Sequence, residues 1–398
     1  MKLKDLEVLI TRNPNPDRGG QYFIFVKLVT KCRIVGYGEV YAATISPQTM
    51  KIVIEDVFFR HMYNQDPSNI ELMFRKIYSS GYSQRPDPTV VGAFSGLEIA
   101  CWDIIGKSLN LPVWKLLGGR VRNKLRTYTY LYPNSNQKSE IFYRSATQSA
   151  AAALKLVEKG FTAIKFDPAG AYTIFDGHQP SIADLERSED FCHKIRANVG
   201  ENADILFGTH GQFTPSGAIR LATKIEKYSP LWFEEPIPPD SPENMSLVAK
   251  ATKIPIATGE RLTTKYEFAQ ILRSGAASIL QPALGRVGGI WEAKKIAAIA
   301  EVFGAQIAPH LYAGPIEWAA NIQFSMTRPN FLILETIGTG EEFQVGLVNK
   351  KISWKEGYLC PLEAPGLGIE LNEEFARKNP YLGEKLHLEM SEKETNQS

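Results

Sequence analysis

Two periodicities divide the chain. In the first third, "LEVLITR" (6–12), "QYFIFVKLVT" (21–30) and "IVGYGEVY" (34–41) are rich in β-branched and aromatic residues with turn punctuation between them, which predicts a meander. Helical patterns follow at about 48–65, 69–80 and 89–109. The last, "VVGAFSGLEIACWDIIGKSLN", has apolar residues recurring at three and four. "NPNPDRGG" (13–20) is too rich in Pro, Asn and Gly for regular structure and reads as a mobile loop or a lid.

From residue 125 short apolar runs alternate with longer helical patterns. The runs are "RTYTYLY" (126–132), "TAIKFD" (162–167), "DILFG" (204–208), "LWFEE" (231–235), "IPIATGE" (254–260), "ASILQP" (277–282), "AQIAPH" (305–310) and "FLILE" (331–335). Eight strands separated by seven helical segments predict parallel βαβ units, and that number favours closure into a barrel. No GxGxxG follows the first run, so a dinucleotide fold lacks its main signal. The division is an α+β domain over 1–123, a barrel over 124–338 and a C-terminal segment over 339–398. The end, "SEKETNQS", has no apolar content and is expected to fray.

Bulk properties narrow the class. The 398 residues are 44% hydrophobic, and 45 Lys and Arg against 43 Asp and Glu leave a formal charge of +2, which argues against a general nucleic-acid binder. Cys32, Cys101, Cys192 and Cys360 are far apart and give no disulfide framework or zinc spacing. The N-terminus has no signal-peptide pattern and no apolar run approaches the roughly 18 residues of a membrane span. A cytoplasmic protein that binds no membrane is expected.

In a parallel barrel, side chains at the C-terminal strand ends converge on one mouth. The sequence places Lys165 and Asp167 after the second strand, Gly208 and His210 after the third, and Glu234 and Glu235 after the fourth. Glu260 and Arg261 follow the fifth, Gln281 the sixth, His310 the seventh and Glu335 the eighth. Any one of these carboxylates could be an ordinary ion pair. Several together, with few cations besides Lys165 and Arg261, repel unless a cation neutralises them, and hard oxygen ligands suit Mg²⁺. Two histidines at one mouth suit proton transfer, although either alone could be a satisfied structural residue. His61 and His193 lie in helical patterns and His387 in the tail, where surface roles are expected. His178 lies on the long loop after the second strand and is a candidate substrate or lid contact.

These residues, in this order, resemble the mandelate racemase-like acid-sugar dehydratases of the enolase superfamily, of the galactonate and mannonate dehydratase type. The resemblance runs over about 1–375 and rests on "SGLEIACWDIIGKSLNLPVWKLLGG" (95–119), "WFEEP" (232–236), "TGERL" (258–262), "ILQPALGRVGGI" (279–290), "IAPHLYAGP" (307–315), "ILE" (333–335) and "PGLGIEL" (365–371). It implies a (β/α)7β modified TIM barrel, capped by an α+β domain built from the N-terminal region and the C-terminal segment. It also implies Mg²⁺ held by strand-end carboxylates, an enediolate formed by removal of the proton α to a carboxylate, and loss of the β-hydroxyl. Carried over by position, Glu234 and Glu260 match metal ligands, Glu335 the eighth-strand carboxylate, His310 the usual base and His210 the general acid. Arg261, Arg18 in the 13–20 loop and His178 are expected at the substrate. The implied partner is a small acid sugar, and members of the family are commonly symmetric homo-oligomers.

The sequence departs from the family at two positions. Glu234 and Glu260 lie 26 residues apart, and another 26 back is Gly208, where the family has its first metal-ligand Asp. Asp167, one strand earlier, is the expected replacement, directly or through water. Relatives pair the seventh-strand His with an Asp that here is Ala283. His310 therefore lacks an orienting acceptor, and Lys165 is the reserve base. The expected reaction is dehydration of an aldonate or aldarate. The alternatives are a racemase, epimerase or cycloisomerase using the same enolate, a Schiff-base aldolase using Lys165, or a binding protein that has lost its metal site.

Overall fold

The structure is a computed structural model, and it describes residues 1–41, 44–134, 136–340 and 342–393. Strands β1 (Leu3–Arg12), β2 (Tyr22–Thr30) and β3 (Val35–Val40) form the antiparallel meander. Helices Pro47–Val57, Ile70–Tyr78 and Pro88–Leu109 follow. Asp87 starts the last of these by accepting from the backbone N–H of Thr89 (2.9 Å) and Val90 (3.1 Å), with Pro88 at the first turn where no N–H is needed. By length and hydropathy this helix could cross a bilayer, contrary to the expectation from apolar runs, but 83% of its most apolar window is buried inside the molecule. It is a core helix. A Cβ on Gly38 would lie 1.8 Å from the Gly96 carbonyl, so only glycine lets β3 lie this close to it.

The barrel strands are β4 (Leu125–Tyr130), β5 (Ala163–Phe166), β6 (Asp204–Gly208), β7 (Trp232–Glu234), β8 (Ile256–Thr258), β9 (Ile279–Leu280), β10 (Gln306–Ile307) and β11 (Leu334–Thr336). They run parallel in chain order from β4 to β10, and β11 pairs with β4. At the remaining seam, Ile307 bridges Phe331 in parallel, with Leu332 N–H donating to the Ile307 carbonyl at 2.8 Å. A hairpin of β12 (Trp354–Lys355) and β13 (Tyr358–Leu359) adds to β4. The chain then returns to the capping domain, where Tyr381 N–H donates to the Ile10 carbonyl.

Strand periodicity builds the site. Tyr128, Ala163, Leu206, Trp232, Ala257, Ile279, Ala308 and Ile333 form one buried cluster, a residue from each barrel strand or its edge. This layer plugs the barrel with large and small side chains. Because strand side chains alternate faces, the residues two positions later lie one layer nearer the mouth. They are Tyr130, Lys165, Gly208, Glu234, Gly259, Gln281, His310 and Glu335.

Two capping-domain carboxylates fasten the domains together. Glu39 of β3 accepts from Gly314 N–H (2.5 Å) and Glu317 N–H (2.9 Å) at the start of helix Pro315–Ser325. Glu98 accepts from Ile290 N–H (2.8 Å) and Trp291 N–H (2.9 Å) at the start of helix Gly289–Val302. Each places carboxyl oxygens as acceptors where a helix leaves N–H groups unpaired.

The C-terminal end differs from expectation. Ser391 bridges Thr173, with Ser391 N–H donating to the Tyr172 carbonyl at 2.8 Å. The frayed end expected over 391–398 lies, from 394 onward, outside the described residues. His387, expected at the surface, is buried against Tyr22, Tyr41 and Tyr312, and its Nε2 lies 3.1 Å from the Tyr312 carbonyl.

Candidate functional site

Lys165 and Glu234 sit at the floor of the mouth, both almost fully buried. Lys165 starts on β5 and Glu234 ends β7, with β6 between them. The Lys165 ammonium donates to Glu234 Oε1 and lies 4.0 Å from Glu335 Oε1. It can cross β6 because Gly208, paired with Glu234 in register, has no side chain; a Cβ there would be 3.3 Å from Lys165 Cε. Burial alone would favour loss of the ammonium proton, but Glu234 and Glu335 outweigh it and hold the Lys165 pKa well above normal. In this arrangement Lys165 is held as a cation rather than poised as the reserve base. Glu234 Oε2 accepts from Trp232 Nε1 (2.9 Å) and Gln281 Nε2 (2.8 Å), so both its oxygens are satisfied.

One layer further out, Asp167 and His210 meet across β5 and β6. His210 Nδ1 lies 2.8 Å from Asp167 Oδ2, and Asp167 Oδ1 accepts from Ala169 N–H. His210 has φ +47, a left-handed turn that brings its ring back over the mouth, with Tyr172 at 4.5 Å between ring centroids. Burial disfavours the imidazolium, but the bond to Asp167 and the charges of Glu260 and Asp167 outweigh it and raise the His210 pKa. With Nδ1 on Asp167, Nε2 is the nitrogen left to act.

His310 is in the opposite state. Burial lowers its pKa to about 4, although Glu260 pulls the other way. Its Nε2 lies 3.4 Å from Glu260 Oε2 and 4.0 Å from Glu335 Oε2. Ala283 bridges His310 through the backbone, and His310 Nδ1 is a buried nitrogen with no hydrogen-bond partner among the described residues. This is the missing acceptor expected from Ala283. Glu335 is oriented by Leu311 N–H, donating to Oε2 at 2.9 Å. Burial acts against an ionised Glu260, but His310, His210, Lys165 and Arg261 outweigh it and keep the carboxylate charged.

The expected substrate contacts are spread over the rim. Arg261 Nε and Nη2 both reach Glu235 Oε2, at 2.8 and 2.7 Å. Arg18 donates to the Pro133 carbonyl at 2.9 Å and lies over Tyr132, joining the 13–20 loop to the barrel. His178 braces two loops instead of joining His210 and His310. Its Nδ1 is 3.0 Å from Asp176 Oδ1, and its backbone bridges Phe213.

Several members of this mouth were missed in the sequence. Arg286 is buried, donates to the Glu260 carbonyl (3.2 Å) and stacks on Tyr41, whose ring is 5.5 Å from His310. Tyr130 and Tyr132 pack together at 5.5 Å. Their signal was the tyrosine at every second position of "YTYLY", which puts Tyr128, Tyr130 and Tyr132 on one face.

The donors do not suit the expected Mg²⁺. A divalent cation of this kind needs several oxygens free to turn toward it. Both Glu234 oxygens and both Asp167 oxygens already accept from protein donors, and Gly208 supplies none. Among the described residues, no three His, Cys, Asp or Glu side chains form a group that could hold a metal. Asp167 thus faces His210 instead of completing a set with Glu234 and Glu260.

Comparison with known proteins agrees with this fold. Residues 148–375 match the family model described as enolase C-terminal domain-like, and residues 15–118 match the mandelate racemase/muconate lactonizing enzyme N-terminal domain. A D-galactonate dehydratase of Pectobacterium atrosepticum is 31% identical over 359 residues, 89% of this chain and 90% of that one. The crystal structure of a mandelate racemase/muconate lactonizing enzyme from Sulfitobacter sp. is 59% identical and covers 99% of both chains with a TM-score of 0.97. A mandelate racemase/muconate lactonizing enzyme-like protein from Roseovarius sp. TM1035 is 58% identical, with the same coverage and TM-score. With both domains matched by family models and nine-tenths of the chain aligned to a relative at 31% identity, the chain belongs to the mandelate racemase/muconate lactonizing enzyme family of the enolase superfamily.

Proposed function

We propose that the protein is an acid-sugar dehydratase acting on an aldonate or aldarate. The observation that carries this reading is the pair of histidines on either side of Glu260, one backed by a carboxylate and one unpartnered at Nδ1. Environments that push two titratable groups apart assign the acid and the base. Neutral His310 takes the proton from the carbon α to the substrate carboxylate. His210, protonated and oriented by Asp167, gives the Nε2 proton to the β-hydroxyl. The C–H and C–O bonds break, water leaves, and the enol rearranges to a 2-keto-3-deoxy acid. Lys165 places fixed positive charge beneath the reacting carbons, where negative charge develops. The Mg²⁺ expected from the resemblance takes no step here, because the donor set does not suit it. The 31% identity to a D-galactonate dehydratase supports the reaction class. A cytoplasmic setting and a symmetric homo-oligomer complete the reading.

Purified protein incubated with a panel of aldonates and aldarates is expected to release a 2-keto-3-deoxy product. In D₂O, exchange at the α carbon without loss of water would replace this reading with an epimerase. Neither product nor exchange with any acid of the panel would end it.

A further inference from the structure

The mouth holds a grouping that neither histidine explains: one buried ammonium between two buried carboxylates, reached across a glycine. We propose that the Lys165 ammonium is the resident cation of this site, taking over the charge role of a divalent metal ion, and that the wild-type protein does not take up Mg²⁺ there.

Three observations carry the inference. First, the ammonium pairs with Glu234, an expected metal ligand, and faces Glu335 at 4.0 Å, so positive charge already sits against the floor carboxylates of the mouth. Second, the route is built for it. The lysine stem passes over Gly208, where a Cβ would approach Cε to 3.3 Å, closer than ordinary van der Waals contact. An Asp at 208 would place a carboxylate there and crowd the stem, so glycine and the lysine path belong together. Third, Glu234 and Asp167 are committed elsewhere, so that among the expected ligands only Glu260 keeps a buried oxygen without a hydrogen-bond partner. Trp232 and Gln281 hold the far oxygen of Glu234, and Asp167 is turned to His210. A tethered ammonium supplies one positive charge and fixed N–H donors, but no exchangeable coordination sites.

The test reads metal binding and needs no substrate. Protein dialysed against chelator is titrated with MnCl₂, followed by electron paramagnetic resonance, and with MgCl₂, followed by calorimetry. Wild type is expected to show no saturable site. The double variant Lys165→Met/Gly208→Asp, which removes the ammonium and adds a carboxylate, is expected to bind one ion per chain. Lys165→Met alone should melt below wild type and regain melting temperature on addition of MgCl₂, whereas wild type should not respond. One ion per chain in wild type, abolished by Glu234→Gln, overturns the proposal. So does a Lys165→Met variant that folds, melts like wild type and ignores MgCl₂. The consequence for catalysis rests on the dehydratase reading, but binding does not. A wild type that binds no metal and turns over no acid sugar would refute that reading and leave this one standing.

Discussion

His210 Nδ1 and Asp167 Oδ2 are 2.8 Å apart, across the ends of two neighbouring barrel strands. Asp167 therefore fixes both the ring orientation and the nitrogen that carries the transferable proton. His210→Asn should lower kcat by about 10² to 10⁴, the usual worth of a general acid. Asp167→Asn should act through the pH profile. His210 must be protonated to work, and its pKa is raised by the bond to Asp167 and by the Glu260 and Asp167 charges, against the pull of burial. Activity is thus present below that pKa and lost as pH rises through it. Removing the Asp167 charge moves this loss to lower pH. A kcat/KM profile for wild type and Asp167→Asn checks it, and an unmoved alkaline limb would refute the assignment.

His310 and Ala283 give the complementary prediction. A base must be neutral, so the contribution of His310 is present above its pKa of about 4, set by burial, and lost as pH falls through it. Ala283→Asp should place a carboxylate beside the unpartnered Nδ1, favour the imidazolium and shift the acid limb to higher pH. His310→Asn should abolish exchange of the α proton in D₂O, read by NMR, while circular dichroism shows the fold intact.

The ring of strand ends was legible in the sequence because two rules produce it. Apolar runs of fixed spacing give parallel strands, and side-chain alternation puts every second residue on the inner face. Gly208 stood out because spacing from Glu234 and Glu260 lands on it, and Ala283 because it lies in a recognisable segment. What Gly208 does was not legible. The Lys165–Glu234 contact depends on the register of three strands, and no periodicity encodes which side chain crosses an intervening one. His387 was missed for a related reason. A polar tail has no pattern that tells of burial, and its aromatic surroundings come from three distant segments, at Tyr22, Tyr41 and Tyr312.

The interface between the domains should weaken as pH rises through neutrality. Burial raises the pKa of Glu39 to about 7 and of Glu317 to about 8; the charge of Glu39 adds to the shift at Glu317. In the unfolded chain both groups titrate near the ordinary carboxylate value, about 4.3. Between that value and 7 to 8 the folded state holds more protons, so stability falls with rising pH. The contribution is complete below the unfolded value and gone once pH passes the folded values. Glu317→Gln removes one of the two charges, so its melting temperature should decline less than wild type from about pH 6 to pH 9. Parallel curves for the two proteins would show that Glu317 does not change protonation over this range.

The same logic extends to Glu98, whose two oxygens accept from three donors: Trp102 Nε1 at 2.7 Å, Trp291 N–H and Ile290 N–H. An alanine there leaves the first turn of helix Gly289–Val302 without acceptors inside the protein. Each such hydrogen bond contributes about 0.5–1.5 kcal/mol, and each unmet buried donor adds a penalty of about 1–3 kcal/mol. Glu98→Ala should therefore cost at least about 3 kcal/mol in urea denaturation, above the common range for single substitutions. Glu98→Gln keeps one accepting oxygen and should fall between.

His387 supports the mouth from outside, packing edge-on to Tyr41 at 5.1 Å while Tyr41 in turn packs on His310 at 5.5 Å. Its lock on the Tyr312 carbonyl holds the C-terminal strap against the loop after β10. The fit is tight on the other side as well, because a Cβ on Gly20 would lie 2.1 Å from the ring. His387→Ala opens a cavity beneath the 13–20 loop and should destabilise the protein by about 2–4 kcal/mol, as truncation of a large buried side chain does. His387→Phe keeps ring volume but loses the polar lock, so it should recover most of the stability and less of the substrate affinity. The loop carries Arg18 and Tyr312 donates from its hydroxyl to the Pro16 carbonyl at 3.1 Å, so loosening it should raise KM about tenfold, or 1.4 kcal/mol. Because His387 touches neither His210 nor Asp167 in its ring or hydrogen-bond contacts, kcat should change far less. Steady-state kinetics on the two variants separates the cases: a kcat loss equal to the KM change would mean that the tail shapes the reacting centre itself.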